Sequence, residues 1–185
     1  MKRRLSQALS GAMIFSIAGG LWAACGAYAF KGIAEFWLMG AAAVVSVFML
    51  IVVSRLKQRV AQLPAERSTS ELDRRAARAG RTFVTVNIVQ GLVIFLAVQV
   101  CYNRHTPEYL APAVAVIVGI HFMALAGAFE TPSHWTVGGL MCVLALGTLL
   151  AVADRGMWGI VIGFGNAAIL WASGVGRIQR VMSET

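Results

Sequence analysis

The sequence predicts an all-α protein, a polytopic bundle of six transmembrane helices. Three observations carry this. Only 13% of the 185 residues are charged and 58% are apolar. Mean hydropathy is +0.73. Six apolar runs each approach the ~20 residues that cross a ~30 Å hydrocarbon core as a helix. A soluble domain has about a quarter of its residues charged and could not cover its surface with this composition.

The runs are expected at about 6–30, 33–54, 82–101, 109–129, 135–153 and 157–175, in one transmembrane domain covering 1–185. Polar groups separate them: Lys31 and Glu35, a basic cytoplasmic loop over 55–81, Asn103-Arg104-His105, Glu130-Thr131-Pro132-Ser133, and Asp154-Arg155. Trp37, Trp135 and Trp158 stand near span starts, where an amphipathic ring prefers the headgroup level. The first run imitates a signal peptide, with Lys2-Arg3-Arg4 ahead and Ala27-Tyr28-Ala29 behind. Its apolar stretch is too long for one. Small residues also recur every fourth position at Ala8, Ala12, Ser16, Gly20 and Ala24, as in a permanent, closely packed helix. Trp22 three residues before Cys25 argues against a lipoprotein site.

Cations set the expected orientation. Lys2, Arg3, Arg4, Arg55, Lys57, Arg59, Arg67, Arg74, Arg75, Arg78, Arg81, Arg177 and Arg180 fall on one side, against Lys31, Arg104 and Arg155 on the other. Retention of Lys and Arg then puts both termini in the cytoplasm of a bacterial inner membrane. The net charge of +8 needs no nucleic acid, because it sits at helix ends with no binding fold to carry it.

Small residues mark the expected helix contacts. Gly159 and Gly163 form GxxxG, while Gly119/Gly127 and Gly139/Gly147 are each two such steps apart. In lipid, close backbone approach must replace the hydrophobic drive. These faces serve packing within the bundle or, alternatively, a homodimer. Trp37-x-x-Gly40 matches Trp135-x-x-Gly138 at an offset of 98, and Gly20 matches Gly119 at 99. A weak 3+3 inverted repeat, of the kind found in secondary transporters, would leave such a trace.

In the loop, Leu56, Val60 and Leu63 prolong the second helix until Pro64 stops it. Ser68-Thr69-Ser70 breaks the chain, and Ser70 with Asp73 makes a capping box that starts the next helix. Arg74, Arg78 and Arg81 share a face of that helix, for topology anchoring or for contact with anionic lipid or a partner.

Chemistry inside the membrane must come from polar residues that are expensive to place there. No span has a central acid or base of the Asp, Glu, Lys or Arg type. The candidates are Asn87, Gln90 and Gln99 on the third span, His121 on the fourth and Asn166 on the sixth. Antiparallel pairing sets Gln90 level with His121, and Asn87 shares its face. His121, Gln90, Asn87 and Asn166 are therefore the expected substrate-binding residues, or else hydrogen-bonded glue between helices. The run Gly119-Ile120-His121-Phe122-Met123-Ala124-Leu125-Ala126 resembles a Gly-x-His-Phe-x-x-Leu-Ala stretch in small bacterial membrane proteins of no assigned activity. That resemblance implies a multi-span fold and adds weight to His121.

No metal site and no cofactor is expected: H-E-x-x-H, P-loop and Gly-x-Ser-x-Gly patterns are absent, and His105 and His134 lie at opposite membrane edges. Cys25 and Cys101 either pair or act as soft hydrophobes. The functional readings left are a small permease or channel for a neutral or weakly basic solute, and alternatively a non-catalytic scaffold or regulator bound through the Arg-rich loop. The topology is testable. Reporter fusions after Ser70 and Ser183 should score cytoplasmic and a fusion after Thr106 periplasmic; a periplasmic signal at Ser70 would invert the assignment.

Overall fold

In a computed structural model, residues 2–64, 70–129 and 131–184 are described, with backbone alone for Arg3, for 70–73 and for Arg75 and Ala76. Six α-helices follow one another: α1 (Lys2–Ala27), α2 (Ile33–Ala61), α3 (Ser70–Asn103), α4 (Leu110–Phe129), α5 (Ser133–Ala151) and α6 (Trp158–Glu184). Single 3-10 turns at Pro107–Tyr109 and Arg155–Met157 lead into α4 and α6. All six helices are long and apolar enough to cross a membrane. No strand occurs among the described residues.

The helices outrun the apolar runs that predict them. At 34 residues, α3 is about 50 Å long, so its basic first turns exceed a bilayer core. The expected stretch at 55–81 is thus mostly helical. α2 ends at Ala61, three residues before Pro64, with the Gln62 amide donating to Arg59 and Val60 carbonyls. The Lys2 ammonium donates to the Ala61 and Leu63 carbonyls at 2.8 and 2.7 Å, satisfying the exposed end of α2. A helix does begin at Ser70, while Ser68, Thr69 and the side chains of the capping box lie outside the described residues.

Two connections need left-handed backbone. Between α1 and α2, Lys31 (φ 54°) is followed by Gly32 (φ 72°). After α3, His105 (φ 55°) takes the position usually given to glycine. There the Thr106 amide bonds the Cys101 carbonyl at 2.9 Å and the His105 amide bonds Tyr102 at 3.1 Å, a double closure of the helix end.

Contacts divide the chain into two compact units. One holds Met1–Arg67 and Gly163–Thr185; the other holds Ser68–Ile162. The first thus combines α1, α2 and most of α6, the second α3, α4 and α5. Each takes a helical hairpin from one half of the chain and the third helix from the other half.

In the first unit, Leu9, Ala12, Met49, Val53, Leu56, Ile178 and Val181 form one apolar cluster, and Ala23, Ala42 and Ala167 form another. Trp171 packs against both. α1 also meets α6 backbone to backbone. A Cβ on Gly163 would lie 2.5 Å from the Gly26 Cα and 2.9 Å from the Trp22 carbonyl oxygen. In the second unit α4 packs on α5 and on α3. A Cβ on Gly119 would lie 2.6 Å from the Cys142 sulfur and 2.7 Å from the Gly138 carbonyl oxygen.

The remaining glycines differ. Gly127, Gly139, Gly147 and Gly159 would each place a Cβ in open space. Of the pairs matched by sequence offset, Gly20 and Gly119 both sit at tight crossings within their hairpins, Gly20 against Ser46 of α2. Gly40 faces open space although Gly138 is a crossing residue. Outside the crossings, apolar side chains cover the surface, among them Phe36, Val44 and Phe48 on α2, Val84, Ile88, Leu92 and Phe95 on α3, and Val143, Leu146 and Leu150 on α5. Lipid is the solvent that suits this surface.

The two members of the GxxxG pair should therefore separate experimentally. Gly163→Leu should lower the detergent melting midpoint, through an overpacking cost of about 1–3 kcal/mol, while Gly159→Leu should leave it nearly unchanged. Equal midpoints for the two variants would mean that α1 and α6 do not touch at Gly26.

Candidate functional site

Three hydroxyls within the apolar helices are satisfied locally. Ser16 donates to the Ala12 carbonyl at 2.8 Å, Thr148 to Leu144 at 2.7 Å and Ser173 to Ile169 at 2.8 Å. Each uses the carbonyl one turn back and so needs nothing from another helix. A smaller group departs from this pattern.

His121 is buried on α4, and its Nδ1 has no hydrogen-bond partner. Across the α3–α4 contact its ring lies against the backbone of Val86. The partner helix is the one expected, yet the neighbour is main chain rather than an amide side chain. Asn87 turns outward: it is exposed, and its Nδ2 donates to the Phe83 carbonyl at 2.7 Å. Gln90 is half-buried and Gln99 exposed.

An aromatic row continues from His121. Its ring meets Phe122 edge-on at 5.8 Å, and Phe122 lies 6.0 Å from the ring of His134. His134 stacks on Phe129 at 6.4 Å, and Phe129 meets Phe83 of α3 at 6.1 Å. His134 is also buried, and its Nδ1 stands 3.3 Å from the Thr131 carbonyl. Sequence reasoning treated His134 as a membrane-edge residue. A position one residue into α5 gives no sign that its ring reaches Phe122.

In the other unit, Asn166 is completely buried and neither its Oδ1 nor its Nδ2 has a partner. The Ser46 hydroxyl and the Trp171 indole nitrogen are likewise buried and unpartnered. A Cβ on Gly20 would lie 2.5 Å from Ser46 Oγ, and one on Gly19 would lie 2.6 Å from Trp171 Nε1. Both polar atoms are thus pressed against α1 at adjacent glycines. Ser46 and Trp171 were not among the sequence candidates. Serine in a membrane helix ordinarily bonds its own turn, and tryptophan reads as a packing or interfacial ring.

Asn166 belongs to one unit and His121, Asn87 and Gln90 to the other. Arg74, Arg78 and Arg81 are all exposed on the first turns of α3. Cys25, Cys101 and Cys142 are free thiols. Among the described residues, no three His, Cys, Asp or Glu side chains gather as a metal site would require.

Residues 81–175, about half of the chain, match the model of DUF7010, a family of unknown function. The chain belongs to this family. The matched segment spans α4, α5, most of α3 and most of α6, and includes the Gly119–Ala126 run with His121. No curated protein and no solved structure matches.

Unpartnered buried polar groups cost about 1–3 kcal/mol each. Asn166→Leu, close in volume, removes two such atoms and should raise the detergent melting midpoint by roughly 2–8 °C. A lowered midpoint would show that the amide has a partner and contributes to stability.

Proposed function

We propose that this DUF7010 protein is a small permease or channel of the bacterial inner membrane, with both termini cytoplasmic, passing a neutral or weakly basic solute. The supporting observation is the set of unpartnered polar atoms: His121 Nδ1, both amide atoms of Asn166 and the Ser46 hydroxyl. Hydrogen-bonding groups at such depth destabilise a bundle unless something satisfies them. A passing solute would do so. All are shut away from solvent in this conformation, so a solute would reach them only after helices part. His121, Gln90, Asn87 and Asn166 remain the proposed substrate-binding set. Within it His121 and Asn166 carry the weight, because Asn87 is already bonded to its own helix.

A second reading has an observation of its own. Arg74, Arg78 and Arg81 extend an exposed basic face on α3, where an anionic lipid surface or an acidic partner would bind a regulatory subunit. Self-association through the small-residue faces is part of the same reading, with Gly139 and Gly147 open to a second copy.

The two readings separate in reconstituted vesicles. Stopped-flow shrinkage with glycerol and urea, and alkalinisation with methylammonium chloride, would be compared with protein-free vesicles. The permease reading expects at least one solute to enter faster, with about a tenfold loss in His121→Leu and Asn166→Leu although both fold. Rates equal to those of protein-free vesicles for all three solutes would rule it out in favour of the basic-face reading.

A further inference from the structure

The connections from α3 to α4 and from α5 to α6 meet at one end of the second unit. There the Tyr109 and Trp158 rings stand edge to face, 5.2 Å apart at 73°. The Arg155 guanidinium carbon lies 5.5 Å from the Tyr109 centroid and 5.9 Å from that of Trp158. Its Nη1 is 3.3 Å from the Glu108 carboxylate. Two aromatic faces and one carboxylate around a delocalised cation are the chemistry by which proteins recognise organic cations.

The walls and the occupant differ in how they are held. Trp158 is only 5% exposed, and its indole N–H donates to the Val152 carbonyl at 2.8 Å. Glu108 and Tyr109 sit on a 3-10 turn, closed by the Tyr109 amide bonding Thr106 at 3.2 Å. Asp154 accepts from the Gly156 amide at 2.9 Å and fixes the turn that carries Arg155. The Arg155 side chain itself is 60% exposed. Its ion pair and ring contacts are of the weak, solvent-screened type. The box is fixed and its occupant is loosely held.

We propose that Glu108, Tyr109 and Trp158 form a binding site for a small organic cation, of the alkylammonium or guanidinium type, which Arg155 fills as a displaceable internal stand-in. A ligand of this class gains the same two rings and the same carboxylate once the arginine swings out. Removing the arginine charge should thus strengthen binding, whereas a simple clamp between the two connections predicts no such gain. The site does not depend on the permease reading, because binding is measured without flux.

The probe is tetramethylammonium chloride, titrated against potassium chloride at matched ionic strength. The readout is the indole cross-peak of residue 158 in protein labelled with 15N-tryptophan in micelles. That peak is identified among the five tryptophans by its loss in Trp158→Phe. Wild type should saturate in the millimolar range, Arg155→Ala should bind at least threefold more tightly, and Glu108→Gln should bind at least threefold more weakly. Arg155→Met, which keeps the stem and drops the charge, repeats the test if the alanine variant fails to fold. Tetramethylammonium shifts no larger than those with potassium, or equal affinity in wild type and the uncharged variants, would overturn the proposal.

Discussion

Glycine against backbone is the contact on which the bundle depends. Lipid is as apolar as the side chains it surrounds, so the helices gain little by hiding leucine from it, and attraction must come from surfaces close enough for dispersion. Gly163 meets Gly26 across α1 and α6, and Gly119 meets Gly138 across α4 and α5. At these points helices approach without intervening side chains. Larger residues such as Phe15, Met141 and Leu170 are buried elsewhere along the same helices. The burial of Asn166 and Ser46 also follows from this closeness, because helices so near one another leave little room for water beside a polar atom.

The number, type and order of the helices could be read from hydropathy alone, since a run of about twenty apolar residues has few alternatives. Helix ends were less legible. α2 stops at Ala61 rather than at Pro64, and Lys2, from a distant part of the chain, supplies donors to the Ala61 and Leu63 carbonyls. Glycine spacing identified faces without identifying neighbours. Gly119 and Gly163 lie at crossings, and Gly127, Gly139, Gly147 and Gly159 do not. A four-residue repeat records which residues share a side of a helix; whether another helix occupies that side is tertiary information.

The candidate site was legible in part. Burial of His121 and Asn166 follows from the cost of polar groups in hydrocarbon, a rule that needs no coordinates. The partner of His121 was not legible. An amide side chain on α3 was expected, but Asn87 satisfies itself on the Phe83 carbonyl and leaves the Val86 backbone beside the ring. Local side-chain to backbone bonds compete with any long-range partner, and spacing does not reveal which wins. Ser46 shows the converse, a hydroxyl that forgoes its own turn.

The helix content of the two units bears on how the protein is made. α3, α4 and α5 are consecutive, so the second unit, which runs to Ile162, is complete once the first residues of α6 have followed α5 from the ribosome. The first unit is not. Its α1–α2 hairpin is synthesised before α3, yet lacks α6 until after α5 has been made. Throughout that interval Gly26 on α1 has no Gly163 to pack against. Of the two hairpins, the earlier one is therefore the later to meet its third helix.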